Sequence, residues 1–495
     1  MFADICTGLI SILTPETIGA VALGIFTGLM FGAIPGISGI MAISILLPLT
    51  FYVSPLVGIP MLLGIYKASM FGGSITAVLL NTPGAPPAVC TAMDGYPLTK
   101  QGKAGKGLNA ALVGSVFGDT FSNILLICVA APLSYLTLKV GPVEQCSLIL
   151  LALTVVGSIS GSSILKGILC AGVGILLATV GVSGTTGAMR FTFENENLMS
   201  GIALIPMVIG LLCLPEVIHQ ACSGIRKTFE QQFDLSGENG RLSWQEIKSR
   251  IPVLLRSSII GSVIGAMPGL GASPAAYMAY SEAQRTSKHP EKFGKGAIEG
   301  VMAPEAANNA VTGSAMIPLL TLGIPGDDVT AVLMGGLIIQ GLQPGPELFT
   351  RYAPMTYTFF AGFVLVQFFM LGIGLLGCRG FAQISRLSDA ILIPSVAVLC
   401  VVGSFAIHKN FFDVVIMMIF GVLGYLVRKF DLNPAAIVLA LILGPIGENG
   451  LRRSLRLSGG SPAILFSTPL CWVLSHFHEP HGEKGRGRRR RRHSR

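Results

Sequence analysis

The feature that most constrains this chain is the length of its uncharged apolar runs. From Thr17 to Tyr66 there is no Asp, Glu, Lys or Arg, and similar runs recur as far as His478. Only 12% of the 495 residues are charged, whereas 51% are hydrophobic and the mean hydropathy is +0.70. A soluble domain carries roughly twice that share of charge. The sequence therefore predicts an integral membrane protein.

The number of membrane crossings follows from the length of these runs. About 20 apolar residues cross a bilayer as a helix, so we expect roughly ten to thirteen crossings, with about twelve preferred. Helices satisfy all their backbone hydrogen bonds within one segment, which suits runs of this length. The predicted fold class is an all-α polytopic membrane protein.

Charged residues are concentrated in a central segment and at the C-terminus. Residues 222–250 form the longest charged stretch before the tail, and we expect a polar loop there between two membrane halves, 1–221 and 251–478. The tail, 479–495, supplies eight basic residues from Lys484 to Arg495. A disordered basic tail suits the cytoplasmic side of a membrane. Nucleic-acid binding is the rival interpretation, and we do not expect it of a short tail on a membrane protein.

The ten cysteines are scattered and include no CxxC pair. Most lie in or beside apolar runs, where a thiol behaves as a small hydrophobic group. We therefore expect no disulfides, no metal site and no cofactor.

Two glycine- and proline-rich stretches indicate that the halves are copies. The stretch "GLMFGAIPGISG" from Gly28 matches "GSVIGAMPGLG" from Gly261 in register through the Pro-Gly pair. A second match joins "GSITAVLLNTPG" from Gly73 to "GSAMIPLLTLGIPG" from Gly313, with two extra residues before Pro-Gly. Glycines four apart favour close helix packing. Internal repeats in a polytopic membrane protein are typical of transporters.

The Pro-Gly pairs predict broken helices or re-entrant hairpins. Proline removes a backbone N–H and clashes with the preceding turn, and glycine permits unusual dihedral angles. A break at membrane depth leaves backbone groups that protein, water or a ligand must satisfy, and free N–H groups suit an anion. A structural kink is the alternative. The residues that we expect to bind solute are Pro35, Gly36, Ser38, Asn81, Thr82, Pro83, Gly84, Pro268, Gly269, Gly271, Asn308, Asn309, Pro325 and Gly326.

Ionisable residues within apolar runs are functional candidates because charge is costly in a bilayer. Lys67 has three explanations: it attracts a carboxylate solute, pairs with an acid of the protein, or extends its amine to the membrane interface. Asp119 could bind a coupling cation or carry a proton, and an ion pair with Lys67 is the structural alternative.

Two further acids are candidates for the coupling ion. Glu305 shares a helix face with Asn308 and Asn309, so the three residues form an oxygen-rich stripe that suits a cation or a polar solute. A structural hydrogen-bond network is the alternative. Asp327 follows the last Pro-Gly pair and could be an ion ligand or simply the N-cap of a restarted helix.

These stretches make the sequence similar to the large membrane subunit of the tripartite tricarboxylate transporters. The likeness covers about Gly24 to Gly460 and includes "GAIPGISG", "FGGSITAVLLNTPG", "DGYPLTKQGKAGKG", "GAMPGLGAS", "GKGAIEGVMAPEAANNA" and "LALILGPIGENGLRRSL". The resemblance implies a symporter of the bacterial inner membrane that imports a carboxylate such as citrate with Na⁺ or H⁺. It also implies two partners, a small membrane subunit and a periplasmic solute-binding protein. Lys67 and Asp119 stand where the family pattern has neutral residues.

Other functions fit the same composition less well. A passive anion channel, or a structural subunit of a membrane complex, would share the helices without coupled transport. An intramembrane serine protease would use a serine of "GISG" or "GVSG", but His219 and His408 lie at the ends of apolar runs. The sequence has no HExxH motif and no P-loop. We therefore expect a transporter that works by alternating access, and no enzyme activity.

Overall fold

The computed structural model describes residues 8, 10–34, 38–137, 141–159, 164–183, 186–223, 242–384 and 389–467. Pro35 and Gly36 of the first predicted tip lie outside the described residues, as do 224–241 of the predicted loop and the whole tail 479–495.

Helices make up most of the regular structure. In chain order they are α1 (Pro15–Gly32), α2 (Gly39–Thr50), α3 (Pro55–Leu80), α4 (Ala88–Lys100), α5 (Ala104–Thr137), α6 (Pro142–Ile159), α7 (Ile164–Ala178), α8 (Leu204–Val208), α9 (Leu214–Ser223), α10 (Trp244–Gly265), α11 (Ala272–Thr286), α12 (Ile298–Ser314), α13 (Met316–Leu322), α14 (Asp328–Ile339), α15 (Glu347–Thr350), α16 (Ala353–Ile384), α17 (Asp389–His408), α18 (Phe411–Lys429) and α19 (Pro434–Leu457).

Smaller elements connect these helices. A π-helical turn, Ile209–Cys213, joins α8 to α9, and short 3₁₀ turns occur at Glu196–Leu198, Pro290–Lys292 and Pro462–Phe466. Strands β1 (Gly181–Val182) and β2 (Met189–Arg190) pair antiparallel.

Seven segments of the described chain are long and apolar enough to cross a membrane. They are α1, α3, α5, the segment Leu204–Cys222, the part of α16 from Ala353 to Gly377, α18 and α19, and five shorter apolar helices accompany them. The predicted all-α polytopic membrane fold is confirmed. The count of about twelve crossings and the division into halves 1–221 and 251–478 stay predictions.

Glycines on one face of α1 let this helix lie directly against α3. A Cβ at Gly24 would be 2.3 Å from the carbonyl oxygen of Met61, and one at Gly32 would be 2.4 Å from that of Ser69. Both distances are far below van der Waals contact, so only glycine fits. The contacts advance in the same direction along both helices, so α1 and α3 run parallel. The predicted packing role of these glycines is confirmed.

The same packing recurs between α10 and α12. A Cβ at Gly261 would be 2.2 Å from the carbonyl oxygen of Ala307, and one at Gly265 would be 2.8 Å from the Cα of Val311. These two helices therefore also run parallel and in close contact.

The helix ends form two faces of the protein. We call the face that contains Tyr52 the first face. The hydroxyl of Tyr52 donates to the carbonyl oxygen of Ala406 (2.7 Å) near the end of α17. The second face contains Lys106, whose Nζ lies 2.5 Å from Oε1 of Glu246 near the starts of α5 and α10.

Four helices show that these faces are opposite. α5 leaves from Lys106, α6 returns, and α7 begins near Lys166, whose Nζ donates to the carbonyl oxygen of Phe430 (2.8 Å). Phe430 follows α18, which itself starts at Phe411 beside the end of α17 on the first face. α18 therefore leads from the first face to the second.

The two broken hairpins enter from opposite faces. The first hairpin consists of α1 and α2, and α2 ends at Thr50, beside Tyr52 on the first face. The second hairpin consists of α10 and α11, and α10 starts beside Glu246 on the second face. Opposite entry of corresponding elements is the arrangement of inverted repeats in transporters. It supports the predicted duplication, which stays a prediction.

The contacts favour a different register for the second match than the sequence alignment does. Asn81 ends α3 and Gly323 ends α13, each in the left-handed conformation, with φ of 54° and 69°. A Cβ at Gly84 would be 2.8 Å from the Cα of Gly73. In the second half, a Cβ at Gly326 would be 2.8 Å from the Cα of Ala315. Gly73 thus corresponds to Ala315 without an insertion, rather than to Gly313.

Candidate functional site

The two Pro-Gly breaks of the second half meet each other. The backbone N–H of Gly269 donates to the carbonyl oxygen of Gly326, with an N···O distance of 2.7 Å. Gly326 also lies against Ala315, because a Cβ there would be 2.7 Å from the Ala315 Cβ. Pro268 and Pro325, which precede these glycines, are thereby brought to one place.

The first half has a related contact. The N–H of Gly84 donates to the carbonyl oxygen of Gly73 (3.1 Å), and a Cβ at Gly84 would be 2.1 Å from the carbonyl oxygen of Gly32. The N–H groups of Gly84 and Gly269 therefore bond within the protein. They cannot bind a solute in this conformation, contrary to a simple interpretation of the tips as free donors.

Local capping explains several of the predicted tip residues. Ser38 is the N-cap of α2, and its Oγ accepts from the N–H of Met41 at 3.4 Å. The side chain of Thr82 donates to the carbonyl oxygen of Leu80 (3.2 Å). Asn81, by contrast, is exposed beside Pro83, and its backbone forms the left-handed C-cap of α3.

The start of α11 differs from these capped positions. Its N-cap is Gly271, with φ of 68°, and no side chain caps the first turn. A Cβ at Gly271 would have no atom of the described residues within 4 Å. The first N–H groups of α11 thus begin beside an open space, next to the tip that Gly269 forms.

Asn308 contributes an unsatisfied buried amide to the same region. Its side chain is 1% exposed, and neither Oδ1 nor Nδ2 has a hydrogen-bond partner among the described residues. Residues 308, 312 and 315 share one face of the α12–α13 segment, so Asn308 lies two turns below Ala315 and the tips. A buried amide without partners costs about 1–3 kcal/mol, unless a ligand satisfies it. The neighbouring Asn309 instead donates to the carbonyl oxygen of Glu305 (3.0 Å).

Glu305 is fully buried and receives hydrogen bonds from three hydroxyl groups. Ser74 of α3 and Thr91 of α4 both donate to Oε1, and Ser115 of α5 donates to Oε2 at 2.8 Å. Within the described part of the chain, no Lys, Arg or His forms an ion pair with Glu305. We call these four residues the Glu305 cluster. Their oxygens could hold a hard cation, or the carboxyl could carry a proton.

Lys67 and Asp119 form a buried ion pair. Lys67 Nζ lies 2.6 Å from Asp119 Oδ1 and 2.7 Å from Asn123 Oδ1, and the hydroxyl of Thr312 donates to Asp119 Oδ1 at 2.8 Å. We call these four residues the Lys67 cluster. Of the three explanations for Lys67, the ion pair with an acid of the protein is the one seen in the structure. The side chain is 1% exposed, so it does not extend to the membrane interface.

Asp327 is the N-cap of α14. Its Oδ1 accepts from the N–H of Thr330 (2.7 Å), whose hydroxyl accepts in return from the N–H of Asp327 (2.8 Å). The other oxygen, Oδ2, accepts from the hydroxyl of Tyr66 (2.6 Å). The capping alternative therefore describes the geometry, and a role in ion binding stays a prediction.

Asp94 is a buried acid that the sequence reasoning missed. Its Oδ1 accepts from the N–H groups of Gly296 and Ala297 at 2.8 Å, and its Oδ2 accepts from the hydroxyl of Tyr280 at 2.9 Å. It thereby joins α4 to α11 and to the start of α12. Its position within "DGYPLTKQGKAGKG" gives no sign of these partners, which are about 200 positions away.

Comparison with known proteins decides the family. A protein-family model described as "Tripartite tricarboxylate transporter TctA family" matches residues 18–439. The chain belongs to the TctA family. This is a family of transporter subunits, and it forms part of tripartite transport systems.

Two proteins of Agrobacterium vitis are similar to this TctA-family chain. The "Uncharacterized 52.8 kDa protein in TAR-I ttuC' 3'region" is 34% identical over 480 residues, which cover 96% of this chain and 94% of that protein. The "Uncharacterized protein in TAR-II ttuC' 3'region" is 35% identical over 214 residues, which cover 43% of this chain and 88% of that protein. No solved structure matches the chain.

Membership of the TctA family and the apolar helices together indicate a multi-pass membrane protein. The resemblance noted in the sequence is therefore confirmed.

Proposed function

We propose that this chain is the large membrane subunit of a tripartite symporter that imports a carboxylate solute such as a tricarboxylate. The observation that carries the proposal is the unpartnered amide of Asn308, buried on the helix face that leads to the joined tips of Gly269 and Gly326. An amide offers a donor and an acceptor, which suits a solute that bears carboxylate and hydroxyl groups.

The solute site in this proposal lies between Asn308 and the start of α11. The uncapped N–H groups after Gly271 carry the positive end of the helix dipole, which favours an anion. The exposed Asn81 contributes to the site from the other half. The N–H groups of Gly84 and Gly269 hold the breaks in shape rather than contacting the solute.

The coupling ion in this proposal binds at the Glu305 cluster. A buried carboxylate without a basic partner needs a cation or a proton. The three hydroxyl donors come from α3, α4 and α5 of the first half, and Glu305 lies on α12 of the second half. Occupancy of the cluster therefore links elements of both halves. Na⁺ and H⁺ both satisfy this chemistry. Asp327 is a weaker candidate because its two oxygens already accept from Thr330 and Tyr66.

The basic residues favour the second face as the cytoplasmic one, in a bacterial inner membrane. Lys100–Lys106, Lys248–Arg250 and Arg285–Lys295 all lie at the helix ends of that face, and the positive-inside rule then applies. The periplasmic binding protein would then deliver solute at the first face. A cytoplasmic tail requires that the apolar run 457–478 returns the chain across the bilayer. Reporter fusions at residues 223 and 495 test both placements.

Replacement of the Pro-Gly pairs tests the solute site. Pro268-Gly269→Ala-Ala and Pro325-Gly326→Ala-Ala should each abolish uptake into proteoliposomes that contain both membrane subunits, with the binding protein and citrate supplied outside. Gly269 has φ of 86°, which alanine tolerates poorly. Membrane insertion should be retained, and Gly172→Ala, whose Cβ would have nothing within 4 Å, is the control.

The same assay separates the symporter from a passive channel. Uptake against the solute gradient should stop when an ionophore collapses the ion gradients. Downhill flux that ignores those gradients would point to a channel, and normal uptake by both Ala-Ala variants would remove the tips from the site.

A further inference from the structure

The Lys67 cluster has the ligand set of a cation site. Asp119 and Asn123, both from α5, supply a carboxylate and an amide oxygen at one point, and Thr312 of α12 donates its hydroxyl to the same Asp119 oxygen. Oxygen ligands of this kind suit a hard cation. The centre of the set is occupied by the amine of Lys67, which reaches in from α3.

The contacts of the amine resemble those of a bound cation. Nζ has two oxygens at 2.6 and 2.7 Å and lies 4.8 Å from the ring centroid of Phe363, a cation–π distance. Asp119 Oδ2 is buried and has no partner in the part of the chain that the structure describes, so the carboxylate has a coordination position to spare.

Burial fixes the charge at this point. Lys67 and Asp119 have side chains that are 1% and 3% exposed, and either charge alone would be strongly destabilising. Asp119 therefore keeps its charge in the folded protein only while a cation lies beside it. A tethered amine meets this condition, whereas a diffusible ion could leave.

We propose that Lys67 is a tethered cation, which occupies a monovalent cation site built by Asp119 and Asn123, with Thr312 orienting the Asp119 carboxylate. The site holds a permanent charge and takes no Na⁺ or K⁺ in the natural chain. This inference deepens the proposed symport, because it removes Asp119 from the candidate coupling residues and leaves the Glu305 cluster. The geometry that carries it is independent of whether the protein transports a carboxylate.

Removal of the amine should convert the cluster into a site for free cations. Lys67→Ala deletes the charge and leaves both the oxygens and the space of the lysine chain. Lys67→Met deletes the charge but fills most of that space. Lys67→Ala/Asp119→Asn also deletes the negative charge of the carboxylate, which would attract a cation. These three variants differ only in what the cluster can hold.

The readout is the Tm of the purified full-length chain in detergent. Each variant is measured in choline chloride and in increasing NaCl, KCl, NH₄Cl or methylammonium chloride at constant ionic strength. In choline chloride, Lys67→Ala should have a lower Tm than the natural protein. One or more of the small cations should raise that Tm with the logarithm of concentration, as linkage requires. Lys67→Met and the double variant should respond no more than the natural protein does.

Two results would overturn the inference. One is a Lys67→Ala protein whose cation response equals that of the natural protein; the other is an equal response in the double variant. If Lys67→Ala can be purified only in methylammonium chloride, that recovery supports the inference, whereas failure in every salt contradicts it. Because no arm measures uptake, a failure of the proposed symport would leave these results unaffected.

Discussion

The contact between Gly118 and α12 gives the sharpest test of how the Glu305 cluster is assembled. A Cβ at Gly118 would lie 2.0 Å from the carbonyl oxygen of Ala306, and ordinary contact begins at 3.4 Å. Gly118→Ala therefore forces α5 and α12 apart by about 1.4 Å at this point, unless the backbones deform. The obstacle is a backbone oxygen, which cannot rotate away as a side chain can.

The expected loss follows from the packing and from one hydrogen bond. Overpacking of this kind costs about 1–3 kcal/mol. The same separation stretches the bond from Ser115 to Glu305 beyond hydrogen-bonding distance, from its present 2.8 Å, and a bond to a charged group is worth about 1.5–3 kcal/mol. We therefore expect Gly118→Ala to lower the free energy of unfolding by roughly 2.5–6 kcal/mol.

The assay combines thermal unfolding in detergent with uptake in proteoliposomes. Gly118→Ala should lower Tm and reduce coupled uptake, since the Glu305 cluster loses a ligand. Gly172→Ala is the matched control: it is also a helical glycine, but its Cβ would have nothing within 4 Å. There, alanine should stabilise by up to about 1 kcal/mol by restricting the unfolded chain. If both variants had the same Tm and the same uptake, the account of this helix contact would be refuted.

Two further predictions follow from single side chains. Asn308→Ala should not lower Tm, because no internal hydrogen bond is lost and the relieved cost of the unpartnered amide offsets the cavity, while the KM for uptake rises; unchanged uptake with full affinity would exclude Asn308 from the solute site. On the second face, the hydrogen bond from Lys106 and, next, the backbone N–H of Ser243 lower the pKa of Glu246 to about 2, from 4.5. A lowered pKa stabilises the fold above pH 4.5, and that contribution disappears as the pH falls through 2. The Tm gap between the natural protein and Glu246→Gln should therefore be constant at neutral pH and narrow between these values, and a gap independent of pH would contradict the pairing.

The membrane fold could be predicted because its signals are local. Charge-free runs predict helices, and the paired prolines and glycines predict where helices break, since both effects act within one turn. The spacing of the glycines at positions 24, 28 and 32 also predicts their packing role. Their close approach to backbone carbonyl oxygens of α3 confirms it. The opposite entry of the two hairpins needed the structure, because glycine spacing is the same for either orientation.

The partners of the candidate site could not be predicted, because they are distant in sequence. Glu305 binds hydroxyl groups 190, 214 and 231 positions away, and no spacing rule connects serines and threonines to an acid at such separations. Lys67 and Asp119 were singled out individually, and the ion pair was one alternative among several. Only the packing of α3, α5 and α12 selects it.

Charge balance in the centre of the protein explains why an anion carrier of this design would need a coupling cation. Among the described central residues, the charge of Lys67 is matched by Asp119 alone. Glu305 has only hydroxyl partners, and Asp327 has a tyrosine hydroxyl and its own cap. A carboxylate solute that approached the tips would therefore add negative charge to a region with an acidic surplus, at low dielectric. A cation or proton at Glu305 relieves this repulsion, so solute and cation should favour each other's binding, which is the thermodynamic requirement for symport.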